Sequence, residues 1–308
     1  MNLFNRIIRR LHASIISEYE LRRELNTVKF YCRRIALEDK ILNSTEIGIV
    51  PVKQGDVPVV VSLTTHGKRI NDVCFTIESL MQQTVKANKI VLWLDDRLKD
   101  SPLPQSLVRQ QARGLEVSYT KDIRSYTKLI PALREYPDST IITVDDDVAY
   151  DFDLIEKLTN AYRSDPECIH ACRVLTMAFN RGGDLKPYND WRYSESIPAL
   201  HFLTGIGGVL YPPHSLHKEV MNEEVFTSIC PKGDDIWFTA MAKLNHTPIK
   251  KVVTRDPMGD EFVNNDKVQD IALEWVNCSE KFNDTQIKAI FSKYGIYDLI
   301  RKQQMSGE

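Results

Sequence analysis

Strand-like and helix-like patterns alternate along the first half of the chain, and this alternation most limits the possible folds. Apolar, β-branched runs typical of buried strands cover residues 57–65, 89–96 and 115–119, and another begins at Thr140. Amphipathic helical patterns lie between them, as at residues 73–83. Strand, helix and strand in succession form βαβ units, whose strands are parallel. The sequence therefore predicts an α/β fold of Rossmann-like character, with a mostly parallel central sheet and helices on both faces.

Three adjacent carboxylates interrupt the apolar stretch between Thr140 and Tyr150, at Asp145, Asp146 and Asp147. Like charges this close repel each other, so either water or a bound cation must stabilise them. Carboxylate oxygens suit Mg²⁺ or Mn²⁺, and such sites commonly share the ion with a substrate phosphate. The stretch fits a metal site for a nucleotide or sugar-nucleotide substrate, and it also fits a solvated acidic turn after an ordinary strand.

Composition excludes several classes of protein. The 308 residues carry a formal net charge of -2, which argues against a general nucleic-acid binder. The six cysteines show no paired C-x-x-C spacing and are expected to be reduced thiols, and Cys168, His170 and Cys172 lack a fourth metal ligand. No run approaches the roughly 20 apolar residues of a membrane-spanning helix, and the first residues lack the apolar core of a signal peptide. A cytoplasmic protein is expected.

Three regions are predicted. Residues 1–50 form an N-terminal amphipathic helical extension, residues 51–280 the α/β domain, and residues 281–308 a C-terminal helix and frayed tail. Two interpretations of the extension stay open, because its apolar residues have helical spacing and arginines lie on the other side. Residues 1–45 either make peripheral contact with the anionic inner face of a membrane, or pack on their own domain or a partner chain.

The second half of the chain is less regular. Residues 180–196 are mostly polar and are expected to form an active-site loop. An apolar segment then contains Gly205, Gly207 and Gly208, which indicates either a close approach of backbone to a ligand or a turn between strands. Asp234 and Asp235 open a predicted helix, where capping alone could explain them.

Four stretches in order resemble the glycosyltransferases of the GT-A fold, similar to the bacterial family 2 enzymes and their relatives in polysaccharide biosynthesis. They are Val-Ser-Leu-Thr-Thr-His-Gly-Lys-Arg at residues 61–69, Glu-Ser-Leu-Met-Gln-Gln-Thr at 78–84, the strand 90–96, and the triple aspartate as a D-x-D signature. The first stretch lacks the family's usual Pro-x-Tyr-Asn-Arg. The resemblance covers residues 57–240, and residues 233–235 are similar to the family's later acidic motif.

The resemblance implies a role for each matching residue. Asp147 would ligate Mn²⁺ or Mg²⁺, with Asp145 holding the ribose or the metal, while Asp235, next to Asp234, would be the catalytic base. The implied nucleotide-sugar pocket comprises Thr64, Arg69, Asp95 at the base, Asp96, Lys128 or Arg124 at a phosphate, Asp145, Asp146, Gly207 and Gly208. For Lys128 and Arg124, an exposed helix start is the competing interpretation.

The implied activity is metal-dependent transfer of a sugar from a nucleotide-diphosphate sugar, foremost a UDP-sugar, to a glycan or lipid-linked acceptor. The context would be bacterial surface polysaccharide biosynthesis, and a base at Asp235 would invert the anomeric centre, whereas retaining relatives need no such base. Acidic strand ends on a parallel sheet also serve metal-dependent nucleotidyl- or phosphotransferases, although no Walker-type motif is present. A non-catalytic scaffold that retains the fold is a further alternative.

Overall fold

A seven-stranded sheet forms the centre of the computed structural model, which describes residues 21, 24, 25, 27–193, 198–256, 261–264 and 282–306. Its strands are β1 (Val59–Thr64), β2 (Lys89–Asp95), β3 (Leu115–Thr120), β4 (Thr140–Thr143), β6 (Ile169–Ala171), β9 (Val209–Tyr211) and β10 (Ile249–Lys251). Their spatial order is β10-β6-β9-β4-β1-β2-β3. All pairs are parallel except those of β9, which runs antiparallel to both β4 and β6.

Two short pairs of antiparallel strands flank this sheet. They are β5 (Val148–Tyr150) with β11 (Phe262–Asn264), and β7 (Val174–Thr176) with β8 (His201–Leu203). β5 follows β4 after four residues, so the triple aspartate lies in the turn between them. The chain leaves the central sheet after Ala171, so residues 169–176 form two separate strands, β6 and β7.

Both faces of the sheet are covered, since successive strand residues point to opposite sides. Val60 belongs to one apolar cluster and Val61 to the other, and both are buried. The helices are α1 (residues 27–43), α2 (Val73–Met81), α3 (Gln105–Gln111), α4 (Ile130–Glu135), α5 (Leu154–Ser164), α6 (Glu223–Ile229), α7 (Asp234–Leu244), α8 (Phe282–Tyr294) and α9 (Ile296–Ser306). The α/β class with a mostly parallel sheet and helices on both faces is confirmed.

Helix α1 packs one face on this domain. Phe30, Leu37 and Ile41 are buried, and the Arg34 guanidinium pairs with the Asp72 carboxylate at 2.9 Å. The predicted helix over residues 1–20 lies outside the described residues. None of the helices that the structure describes is long and apolar enough to cross a membrane.

The C-terminal helices α8 and α9 pack against the sheet face that also carries α7. Ile287, Ile290, Phe291, Ile296 and Ile300 are buried in that apolar cluster. The residues expected to be a frayed tail are therefore helical as far as Ser306. Buried apolar residues on both helices explain the difference, because tertiary packing stabilises a segment whose local pattern is weak.

Candidate active site

A cavity of about 1090 Å³ opens at the carboxyl ends of β1, β2 and β4. Ligands of open α/β sheets bind at this edge, where the loops after the parallel strands meet. Residues from separate parts of the chain line its acidic side, among them Thr64, Asp95, Lys128 and Asp235. The cavity therefore gathers most of the side chains that the sequence proposed for one site.

The acidic turn after β4 is held from the β1 side. Asp146 accepts a hydrogen bond from the Thr65 hydroxyl at 2.5 Å and pairs with the Arg69 guanidinium at 2.8 Å. Arg69 also lies 3.1 Å from Asp147. Asp146 and Arg69 are both buried, so each offsets the charge of the other where water cannot. Arg69, predicted as a nucleotide contact, here anchors the turn while still lining the cavity.

The Asp147 carboxyl group lies in a buried and negatively charged environment, which the Arg69 guanidinium offsets only in part. Burial and the neighbouring Asp145 carboxylate raise the pKa of Asp147 to about 6, although Arg69 acts in the opposite direction. A raised carboxyl pKa means that the charged form lacks stabilisation. A cation bound on the cavity side of Asp145 and Asp147 would supply it.

Lys128 lies buried among the carboxylates of the cavity, which contradicts the interpretation of this residue as an exposed helix start. Its Nζ atom is 2.8 Å from Asp145 Oδ1 and 3.0 Å from Asp234 Oδ2. Burial opposes its charge, but the carboxylates of Asp145, Asp234 and Asp235 outweigh burial and raise the pKa of Lys128. This ammonium group therefore links the acidic turn to the start of α7.

The backbone at Lys128 is fixed to the centre of the sheet. The Ser62 hydroxyl in β1 donates to the Lys128 carbonyl oxygen at 2.6 Å and accepts from Trp93 Nε1 in β2 at 2.8 Å. These groups are buried, so leaving any of them unpaired would cost free energy. Two core strands thus position the lysine, a relation that no local sequence pattern reveals.

Asp235, at the start of α7, accepts a hydrogen bond from the turn at Gly205 and lies within the electrostatic influence of Lys128. The Gly205 N–H lies 3.1 Å from each carboxylate oxygen of Asp235. Burial and the adjacent Asp234 carboxylate raise the pKa of Asp235 to about 7, against the lowering effect of Lys128. The group therefore changes protonation near neutral pH, as a general base is expected to do.

Gly205 is a glycine because two functional groups leave no room for a side chain. A Cβ atom there would lie 2.6 Å from Lys128 Nζ and 3.1 Å from Asp235 Oδ1. Gly207 and Gly208 do not line the cavity: a Cβ atom on the first would meet Arg173, and the second has a φ of 90° with Leu154 beside it. These two glycines serve the turn itself, whereas Thr204 and Ile206, which neighbour Gly205, line the cavity.

Tyr150 joins the acidic turn to the glycine turn. Its hydroxyl accepts a hydrogen bond from the Asp145 N–H at 3.0 Å and donates to the Ile206 carbonyl oxygen at 2.9 Å. The side chain is buried. Because it bonds to the backbone of both segments, it fixes their separation independently of the charged side chains.

The remaining predicted residues lie towards the rim. Asp95 lines the cavity, and hydrogen bonds from Arg97 lower its pKa to about 2, so it stays ionised. Asp96 is exposed and outside the cavity. Arg124 lies exposed at the cavity rim with a positive φ of 62°, and its Nη1 is 3.5 Å from the Pro231 carbonyl oxygen.

Basic and aromatic side chains also line the cavity. Part of the predicted active-site loop, within residues 188–193, contributes to them, and Arg173 contacts the Tyr193 hydroxyl at 3.1 Å from Nε. The sequence pattern did not single out this group, whose members are Arg173, Tyr188, Trp191, Arg192, Tyr193, Phe202 and Lys232. The tyrosine and tryptophan content of the loop was the available signal, because aromatic faces commonly line ligand pockets.

No cluster of three or more aspartate, glutamate, histidine or cysteine side chains in the described ranges is arranged to hold a metal ion. Among Cys168, His170 and Cys172, the His170 ring bonds the Asp165 carbonyl oxygen at 2.8 Å. A cation at Asp145 and Asp147 would therefore need further ligands from substrate or water, which is usual for Mg²⁺ and Mn²⁺.

Comparison with solved structures gives distant likenesses. A mannosyltransferase from Pyrobaculum calidifontis, in complex with GDP-Man and Mn²⁺, is 13% identical, with 74% of this chain and 64% of that chain covered and a TM-score of 0.41. Glucosyl-3-phosphoglycerate synthase from Mycobacterium tuberculosis, with Mn²⁺, UDP and phosphoglyceric acid, is 12% identical over 66% and 72% of the chains, with a TM-score of 0.37.

A third solved structure, CMP:2-keto-3-deoxy-manno-octonic acid synthetase with CTP, is 14% identical over 63% of this chain and 88% of that chain, with a TM-score of 0.37. No family model and no curated protein matches the sequence. Likenesses at such low identities and TM-scores say nothing about activity.

Proposed function

We propose that this protein is a metal-dependent glycosyltransferase that moves a sugar from a nucleotide-diphosphate sugar, foremost a UDP-sugar, to a glycan or lipid-linked acceptor. One observation carries the proposal. The acidic turn and the start of α7 meet around Lys128 in one cavity. Burial and neighbouring carboxylates raise the pKa of Asp147 to about 6 and that of Asp235 to about 7. The resemblance of the sequence to polysaccharide-building glycosyltransferases supplies the acceptor class and the setting of surface polysaccharide biosynthesis.

The donor set at the acidic turn fits Mn²⁺ or Mg²⁺. Asp145 and Asp147 offer carboxylate oxygens on the cavity side, and the raised pKa of Asp147 indicates that its negative charge is incompletely offset. These two residues would hold the ion, with substrate phosphate and water completing its ligands. When bound, the ion would neutralise the charge of the leaving diphosphate as a Lewis acid.

Side chains of this protein would supply the other catalytic groups. Lys128, fixed through Ser62, holds Asp145 and Asp234 in place and adds positive charge beside the leaving group. Asp235 would accept the proton of the acceptor hydroxyl as that oxygen bonds to the anomeric carbon and the bond to the diphosphate breaks. Attack from the side opposite the leaving group inverts the anomeric configuration.

The volume of the cavity supports a substrate of this size. About 1090 Å³ is at the upper end of the range of small-molecule sites, which run to about 1,000 Å³, so donor and acceptor sugar can be accommodated together. Thr64 and Asp95 line the part where the nucleotide is expected, and aromatic side chains such as Trp191 line the same cavity. Aromatic faces suit the apolar faces of sugar rings.

Replacing the Asp147 carboxylate tests whether this residue binds the metal ion. Asp147→Ala should abolish Mn²⁺-stimulated hydrolysis or transfer of a nucleotide sugar, and it should also abolish the Mn²⁺-dependent increase in melting temperature with UDP, since a ligand stabilises by mass action. Asp96→Ala is the matched control because Asp96 is exposed and outside the cavity. Undiminished metal stimulation in Asp147→Ala would rule out the assignment.

Product analysis distinguishes the proposal from its alternatives. A screen of UDP-, GDP- and CMP-sugars by thermal shift, with and without Mn²⁺, identifies the donor. Release of a nucleoside diphosphate indicates sugar transfer, whereas release of pyrophosphate from a nucleoside triphosphate indicates nucleotidyl transfer. A product that keeps the donor's anomeric configuration would remove Asp235 as an inverting base.

A further inference from the structure

An exposed apolar stripe runs along α1 and its N-terminal continuation, on the side away from the domain. Leu21, Leu25, Val28, Ile35 and Leu42 are between 51% and 68% exposed, and Cys32 is exposed on the same line. Monomeric proteins rarely expose so long an apolar stripe. The opposite face of α1 packs on the domain, and this leaves the stripe exposed.

The spacing of the stripe is that of a coiled coil. Residues 21, 25, 28, 32, 35 and 42 occupy alternating a and d positions of a seven-residue repeat, with Asp39 as the polar exception. The same register continues towards the N-terminus of the sequence at Phe4, Ile7 and Leu11, interrupted by Ser14 and Glu18. An apolar 3.5-residue repeat sustained over more than three heptads indicates helix pairing.

The domain occupies the face of the helix opposite this stripe. Phe30 and Leu37 are at f positions and Ile41 at a c position. All three are buried, and Leu37 and Ile41 belong to an apolar cluster of the domain. Each domain therefore lies on the far side of its own helix when two stripes meet. Within the part of the chain that the structure describes, the stripe side chains of α1 stay exposed and accessible to a second helix.

Charge distribution favours a protein partner over an anionic membrane. Arg33 and Arg34, two of the arginines that suggested a membrane, face the domain: Arg33 lies 4.1 Å from the Phe152 ring centroid, and Arg34 pairs with Asp72. Residues of opposite charge lie beside the exposed stripe: Glu24 is at a g position and Lys29 is at the next e position. In a parallel pair in register, these two positions face each other across the interface.

We propose that α1 and the residues before it pair with the same helix of a second copy of this chain, forming a parallel dimer. Leu25, Val28 and Ile35 lie in its seam, and Glu24 of each copy faces Lys29 of the other. The dimer places two catalytic cavities on opposite sides of one helical stem. This inference stands whether or not the proposed activity is correct, because it rests on α1 alone.

The mass of the full chain in solution, measured by light scattering after size exclusion, tests the dimer. We expect twice the mass of one chain, falling two-fold in the variant that combines Leu25→Glu with Ile35→Glu. Both side chains are exposed, at 51% and 68%, so the domain keeps its fold, which circular dichroism checks. Lys40→Glu, on the same helix but off the stripe, should remain dimeric.

Charge reversal tests the register. Glu24→Lys alone and Lys29→Glu alone should each weaken the dimer by placing like charges opposite each other, and the double variant should restore it. A wild-type chain that is monomeric at tens of micromolar, or a dimer unaffected by the two glutamates in the seam, would refute the proposal. So would a monomer that sediments with phosphatidylserine vesicles through the same stripe, since a membrane would then be its partner.

Discussion

Replacing the Asp235 carboxylate with an amide should stabilise the protein while removing its activity. Asparagine has nearly the same shape, and its oxygen can still accept the Gly205 N–H. The folded pKa of Asp235 is about 7 against an ordinary value of 3.8, chiefly because burial and Asp234 disfavour the charged form. Each factor of ten in proton affinity is worth about 1.4 kcal/mol, so ionised Asp235 costs the folded state at most about 4 kcal/mol.

The sign of this effect depends on pH. Below pH 4 both folded and unfolded chains carry the proton, and the group contributes nothing. Between about pH 4 and pH 7 only the unfolded chain releases it, so the stability of the wild-type protein falls as pH rises. Above about pH 7 the full cost is present. Asp235→Asn should therefore raise the free energy of unfolding by about 2–4 kcal/mol at pH 8 and by little near pH 4.

Urea unfolding in the presence of EDTA, at pH 4 and pH 8, measures this difference without interference from bound metal. Asp96→Asn is the control for loss of one exposed carboxylate, and it should change stability little at either pH. Sugar transfer by Asp235→Asn should fall by about 10²–10⁴-fold, as for loss of a general base. A variant that gains no stability at pH 8, or gains equally at both pH values, would refute the assignment of a strained carboxylate at Asp235.

Three further changes probe the support of this site. Gly205→Ala places a methyl group against Lys128 and Asp235, so transfer should drop and urea unfolding should show a loss of about 1–3 kcal/mol. Ser62→Ala leaves the Trp93 indole N–H without its acceptor, which should cost about 1–3 kcal/mol in the same assay. Lys128→Met leaves the surrounding carboxylates uncompensated and should cost about 3–5 kcal/mol at pH 8, with a smaller loss at pH 5, where Asp235, with its raised pKa of about 7, is neutral.

Sequence patterns sufficed for the parallel part of the fold because its strands are buried on both faces. Mostly apolar runs such as residues 59–63 and 90–94 are a strong signal. The polar residues that follow them, Thr64 and Thr65 after the first and Asp95 and Asp96 after the second, had to lie at one edge of the sheet. Three-residue strands such as β9 have no comparable signal. Their position depends on contacts with distant strands.

Local sequence patterns also could not predict which groups surround an individual side chain, because those groups come from distant segments of the chain. Lys128 resembles an exposed residue at the start of a helix, yet Asp234, more than a hundred residues later, lies 3.0 Å from it. The resemblance implied a place for Asp146 in the nucleotide pocket, and only the fold shows that Arg69 and Thr65 bind it. A pattern can identify which residues are charged, but pairing between distant segments decides which charges are left for a ligand.

The direction of β9 explains how the second half of the chain reaches the site. Because β9 is antiparallel to β4, its first residue, Val209, pairs with Thr143 at the carboxyl end of β4. The turn that precedes β9 therefore lies at the same edge as the acidic turn, where Gly205 can bond Asp235 and Ile206 can bond Tyr150. A parallel β9 would place this turn at the opposite edge, about three residues or 10 Å away. The antiparallel direction of β9 thus brings the Gly205 N–H, which donates to Asp235, to the same edge of the sheet as the acidic turn.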